Sequence, residues 1–305
     1  MGQVLEIIAI TFSTSSFVIS SITLVSICIY IRPLISNVPI LLTCSTYITV
    51  IGSSLMTLLA MVYGLIDARH VSIMFNDYSC QLRSYINYVF ICAFYYSCAL
   101  QAIFRLFRVV WPKRKILQTR VVALVSIFLQ WLVPIFYIAV YLFLGNFEYR
   151  AEIGSCWLSF KNISALATGM VFIYGSPLAV MTGIYACIIR YIRRTVQTQQ
   201  IRAQANKRDL FIVKRIIILV LISMGIGIPT GMMLIIYMIN GYLHPLAYHI
   251  QALSLTLGLL VESIALGFIT PQVREIFNRN RRRIIPAITD QRTLQAGIEP
   301  VDDTL

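Results

Sequence analysis

Seven stretches of mostly apolar residues alternate with short polar segments along the chain, at about 7–31, 38–63, 81–105, 120–144, 165–189, 213–239 and 246–269. Each is long enough for a helix that crosses a bilayer core, which takes about 20 residues. The gaps between them carry nearly all the charge. The first stretch is rich in Ser and Thr, which a helix in lipid tolerates when the hydroxyl bonds back to its own backbone carbonyls. After Pro271, the segment 272–283 reads as a short amphipathic helix lying on anionic lipid. Residues 284–305 turn polar and read as a disordered tail. The pattern predicts an all-α membrane protein: a seven-helix bundle over residues 1–283, with a short cytoplasmic helix after the last span.

Charge orients the bundle. With the N-terminus outside, 21 of the 25 Lys and Arg residues fall on the inner side and four, Arg69, Arg83, Arg150 and Lys161, on the outer side. Basic loops stay in the cytoplasm, so this asymmetry predicts a multi-pass plasma-membrane protein with an extracellular N-terminus and a cytoplasmic C-terminus. An even number of spans could not separate the charges in this way. Trp111 and Trp157 fall at opposite expected interfaces. The loop at about 190–212 is basic and Gln-rich, and is expected to prolong the fifth and sixth helices.

Composition narrows the function. The chain is 58% hydrophobic and only 12% charged, against about 25% charged in soluble domains. A net charge of +13 would suit nucleic acid in a soluble protein. Here its position points to membrane lipid and inner-face partners instead. Of seven cysteines, five lie in apolar stretches, while Cys80 and Cys156 lie outside them. No CxxC spacing occurs, and three histidines are too few for a histidine-rich metal site. No His, Asp and Glu cluster suggests a triad, so neither a cofactor nor catalysis is expected.

The third stretch carries the most specific signal. Arg105 stands 25 residues after Cys80, roughly 37 Å along a helix, a full crossing with some excess. It lies in Phe104-Arg105-Leu106-Phe107-Arg108-Val109-Val110-Trp111-Pro112. This block resembles the end of the third helix in rhodopsin-like G-protein-coupled receptors, where Asp-Arg-Tyr precedes a short apolar run and a proline. Arg105 falls on the family arginine and Pro112 on the loop proline; Phe104 and Leu106 replace the aspartate and tyrosine. Further matches are Trp131 in the fourth span, Pro177 and Tyr185 in the fifth, and Pro229 in the sixth. The resemblance covers roughly residues 7–283.

What the resemblance implies is a receptor that binds an outer ligand and activates a heterotrimeric G protein. It implies a disulfide between Cys80 and Cys156, and a coupling and switching role for Arg105, Arg108, Pro112, Tyr185 and Pro229. Asn87 stands where amine receptors carry an aspartate, so a monoamine ligand is not expected, and a peptide or a lipid remains open. The seventh span has no lysine for a retinal Schiff base. Asn87, Tyr88, Tyr237 and Tyr248 are candidate pocket residues. The sequence also departs from the family. Thr49 replaces the second-helix aspartate, Gly227 the sixth-helix tryptophan, and Asn-Pro-x-x-Tyr is missing from the seventh helix. With Phe104 in place of the aspartate, Arg105 lacks the usual neighbouring ion pair and is expected to be less restrained.

Glu262 is the only acidic residue inside a span. A carboxylate in hydrocarbon is costly, so it should face the bundle interior. It reads either as a substitute for the missing second-helix acid or as a hydrogen-bonded packing residue. Asp303-Thr304-Leu305 fits a PDZ-type groove by its terminal carboxylate, and Asn162-Ile163-Ser164 fits the glycosylation pattern. The rival reading is a seven-helix transporter or channel. It would need a polar path, for which Glu262 and scattered Asn and Gln are the available groups.

Overall fold

The computed structural model describes residues 2–30, 37–67, 78–150, 154–159, 162–198, 225, 227–242 and 245–269. Its elements in chain order are α1 (Gly2–Tyr30), α2 (Val38–Asp67), α3 (Tyr78–Val110) and α4 (Arg120–Phe143), then a hairpin of β1 (Phe147–Arg150) and β2 (Ser155–Leu158). Next comes α5, made of Ile163–Met170 and Ser176–Thr198 joined through a π turn at Val171–Gly175. The last two are α6 (Gly227–Asn240) and α7 (Pro245–Ile269). Among the described residues, six helices are long and apolar enough to cross a membrane, and α6 is a shorter apolar helix. The first part of the expected sixth span, the helix after Pro271 and the tail lie outside the described residues.

Lipid is the solvent that this packing requires. Along α4 only a narrow stripe is buried, Ala123, Gln130, Pro134, Ile138 and Tyr141. Their spacing of about one or two helical turns marks a single packed face. The rest of α4 is also apolar: Phe128, Phe136 and Phe143 are 63%, 68% and 86% exposed. An exposed apolar surface of this extent marks a membrane or partner interface; here it runs around a helix of spanning length.

The central helix is α3, which packs against α2, α4, α5 and both strands. It runs past the expected 81–105 at both ends because Arg105 to Val110 are acceptable helix formers. Pro112 stops it: the residue before a proline is pushed out of the helical region, and Trp111 is the first non-helical residue. The π turn in α5 lies just ahead of Pro177, where a proline ring and a missing N–H disturb a regular helix. Tyr96 of α3 answers that disturbance. Its hydroxyl donates to the Phe172 carbonyl at 3.4 Å and lies 3.2 Å from the Ser176 hydroxyl.

Polar side chains join the helices from inside. Ser13, Ser16 and Ser20 lie on one face of α1 and are fully buried. Ser16 is 2.7 Å from Ser263 of α7 and accepts from Ser54 of α2 at 3.0 Å, while Ser20 donates to Ser263 at 3.0 Å. Such bonds hold helices together in lipid, where apolar contact alone gives little preference for protein over chain tails. On α1, Thr14, Ser15, Thr23 and Ser26 donate to carbonyls four residues back, the self-bonding expected of a Ser- and Thr-rich span.

The bundle is helical, and the short hairpin is an addition to it. Its register pairs Phe147 with Leu158 and Tyr149 with Cys156. Four residues per strand is too short for alternation to stand out between long apolar runs. Its turn closes at Gly154, with φ +62°; a Cβ there would come within 2.6 Å of the Cα of Gly64 on α2. Only glycine satisfies both the left-handed backbone and the close approach.

Candidate functional site

Cys80 in the first turn of α3 is bonded to Cys156 in β2, with an S–S distance of 2.03 Å and a Cα–Cα distance of 5.7 Å. Ser84, one turn further, donates to the Cys156 carbonyl. These two ties hold the hairpin over the end of the bundle. Beneath it lies an open cleft walled by α2, α3, β2, α5, α6 and α7.

Asn87 and Tyr88 line this cleft; Tyr237 and Tyr248 do not. Tyr248 is buried in the core, and Tyr237 packs against that core. The sequence showed both at the right end of their helices but not which way each helix is turned. The Asn87 side chain is fixed by Thr57 of α2, whose hydroxyl donates to its Oδ1 at 3.3 Å. The sequence reading missed Arg83, Gln251 and Thr230, which also line the cleft. Gln251 donates to the Thr230 hydroxyl at 3.1 Å, joining α7 to α6. Arg83 stands over the ring of Tyr63, 4.1 Å from its centroid. Its charge within one turn of Cys80 was a signal available in the sequence. Trp157, expected at a membrane interface, lines the cleft instead, whereas Trp111 at the far end of α3 is exposed.

Arg105 lies 22 residues beyond Arg83 on the same helix, about 33 Å away. Its half-buried guanidinium lies within electrostatic reach of the hydroxyl of Tyr185, which is buried on α5. Phe104 turns the other way and packs with Leu42 of α2 and Ala123 of α4. Tyr185 of α5 is the polar neighbour of Arg105, in a place where Phe104 offers no charge. Arg108 and Pro112 are exposed. Pro177 is buried, and Pro229 is half-buried on α6. Trp131 is a packing residue here: its ring meets Phe90 of α3 edge-on at 5.6 Å.

Glu262 is fully buried in α7. It lies within electrostatic range of Tyr95 and Cys98 on α3. Thr49 and Ser53, on the α2 face that lost its acid, are also fully buried. Asn162 caps α5 by accepting from the Ala165 N–H at 3.1 Å. The PDZ-type terminus at Leu305 lies outside the described residues.

Residues 50–264 match the model of the 7 transmembrane receptor (rhodopsin family). The match spans more than half of the chain, and the chain belongs to that family. A comparison with curated proteins finds no match.

Proposed function

We propose that the chain is a seven-helix receptor of the plasma membrane that couples an outer ligand to a heterotrimeric G protein. The hairpin end faces outward and the Arg105 end faces the cytoplasm, as the split of basic residues indicates. One observation carries the reading. A single helix, α3, contributes to the wall of the cleft at one end, and at the other it presents an arginine beside Tyr185 of α5. A ligand that shifts α3 relative to α5 therefore acts on the Arg105 contact. Coupling follows if ligand and G protein both prefer the same arrangement.

Arg105, Arg108 and the basic inner loops are the expected contacts of the partner, and Tyr185 and Pro229 the parts that move. The test is guanine-nucleotide exchange on a panel of purified heterotrimeric G proteins, with the receptor in lipid nanodiscs. The native chain is expected to accelerate exchange on at least one of them. Arg105→Ala should lower that rate at least tenfold with folding preserved. Ion flux through the protein in vesicles, with no exchange on any G protein, would support the channel or transporter reading instead.

A further inference from the structure

The cleft has an uneven charge. Arg83 is the one cation on its lining, and no carboxylate lines it among the described residues. The Arg83 guanidinium lies over the face of Tyr63. A guanidinium over an aromatic face keeps its in-plane N–H donors directed outward, where they match a carboxylate or phosphate edge. Neither described salt bridge, Arg150 with Glu148 at 3.6 Å or His249 with Glu6 at 3.4 Å, involves it.

One turn deeper, Asn87 has its Oδ1 committed to Thr57, which leaves its amide donors for another partner. On the opposite wall, Gln251 has its amide nitrogen committed to Thr230. Its Oε1 is buried and has no hydrogen-bond partner. An unsatisfied buried acceptor in a cleft wall calls for a donor from whatever fills the cleft. Deeper still, Ile91 and Leu255 make the lining apolar. Arg83 and Ile91 are eight residues apart on α3, about 12 Å of depth.

We propose that the cleft binds an anionic amphiphile, with a carboxylate or phosphate head at Arg83, a hydroxyl or N–H donor to Gln251 Oε1, and an apolar body against Ile91 and Leu255. This rests on the receptor reading for its purpose but not for its detection. A cationic ligand would meet Arg83 without a compensating acid, and a neutral one would leave its donors unused.

The test measures stabilisation of the nanodisc-bound protein against thermal unfolding. The probes are single-chain compounds of eight to sixteen carbons, kept below micelle formation. They are alkyl carboxylates, alkyl phosphates, the methyl esters of the carboxylates, and alkyl trimethylammonium salts. The carboxylates and phosphates should bind at least tenfold more tightly than the esters, and the ammonium salts more weakly still; comparing the two anions tells which head is preferred. Arg83→Gln should remove most of that preference while the unliganded protein unfolds near its native temperature. Arg150→Gln, an arginine off the cleft lining, should retain it. Gln251→Leu should lower the affinity of 2-hydroxy carboxylates more than that of plain ones. Equal binding of esters or ammonium salts, absence of anion binding at every chain length, or an Arg83→Gln affinity within twofold of native would each overturn the proposal. Nucleotide exchange measured in parallel separates the two readings. Arg83-dependent anion binding without exchange sustains the site and sinks the receptor; exchange driven by the ester or the ammonium salt does the reverse.

Discussion

The guanidinium of Arg105, near the end of α3, lies within electrostatic reach of the hydroxyl of Tyr185 on α5. The two residues are 80 positions apart, so the contact joins two helices. Polar side-chain interactions between helices in lipid average about 0.6 kcal/mol. Tyr185→Phe should therefore destabilise the purified protein by about 0.6 kcal/mol, read as a lower thermal midpoint. An unchanged midpoint would mean that the contact contributes nothing to this arrangement.

The disulfide closes a loop with a sequence separation of 76 residues. Loops of that size stabilise by roughly 4 kcal/mol in the chain-entropy account. Cys80→Ser, Cys156→Ser and the double variant should all lose cleft binding, and the double variant should be no worse than either single one. Additive losses would show that the two sulfurs act separately. Peptide mapping without reduction should recover the two cysteines in one linked fragment.

Gly52 of α2 sits against the ring of Phe90, and an added Cβ there would overlap that ring. Phe90 is in turn wedged against Trp131. Alanine is the better helix former by about 1 kcal/mol, yet overpacking typically costs about 1–3 kcal/mol. Gly52→Ala is expected to lower the thermal midpoint, and adding Phe90→Leu to that variant should recover part of the loss. A rise in stability from Gly52→Ala alone would contradict the close contact.

Glu262, fully buried in α7, carries an ionisable group into the bundle. Glu262→Gln preserves the shape and most of the hydrogen-bonding capacity but removes the titratable proton. Surface expression should stay near native, while the agonist response at fixed pH should change in size. If expression and response both match the native chain, Glu262 is a packing residue. Glu262→Leu is the companion test: expression should fall, because its interior partners would be left unsatisfied.

Much of the bundle was legible from the chain alone. Runs of apolar residues predicted where helices lie, because lipid accepts an apolar surface on every side and a long run has no other stable placement. Pro112, read as a loop proline, lies just past the end of α3, and the Ser and Thr content of the first stretch pointed to the back-bonded hydroxyls of α1. Cys80, Arg105 and Tyr185 were identified by order and spacing within a family pattern. What the sequence could not determine was how each helix is turned. Lipid-facing and core-facing positions are equally apolar, so no stripe separates Tyr88, in the cleft wall, from Tyr248, in the core. Nor could it bring Arg83 and Gln251, 168 positions apart, to one cleft, or turn Phe104 toward α4 and leave Arg105 to Tyr185. Those outcomes depend on close packing and on hydrogen bonds between helices, such as Thr57 with Asn87 and Ser16 with Ser263. They exist only once the helices have met.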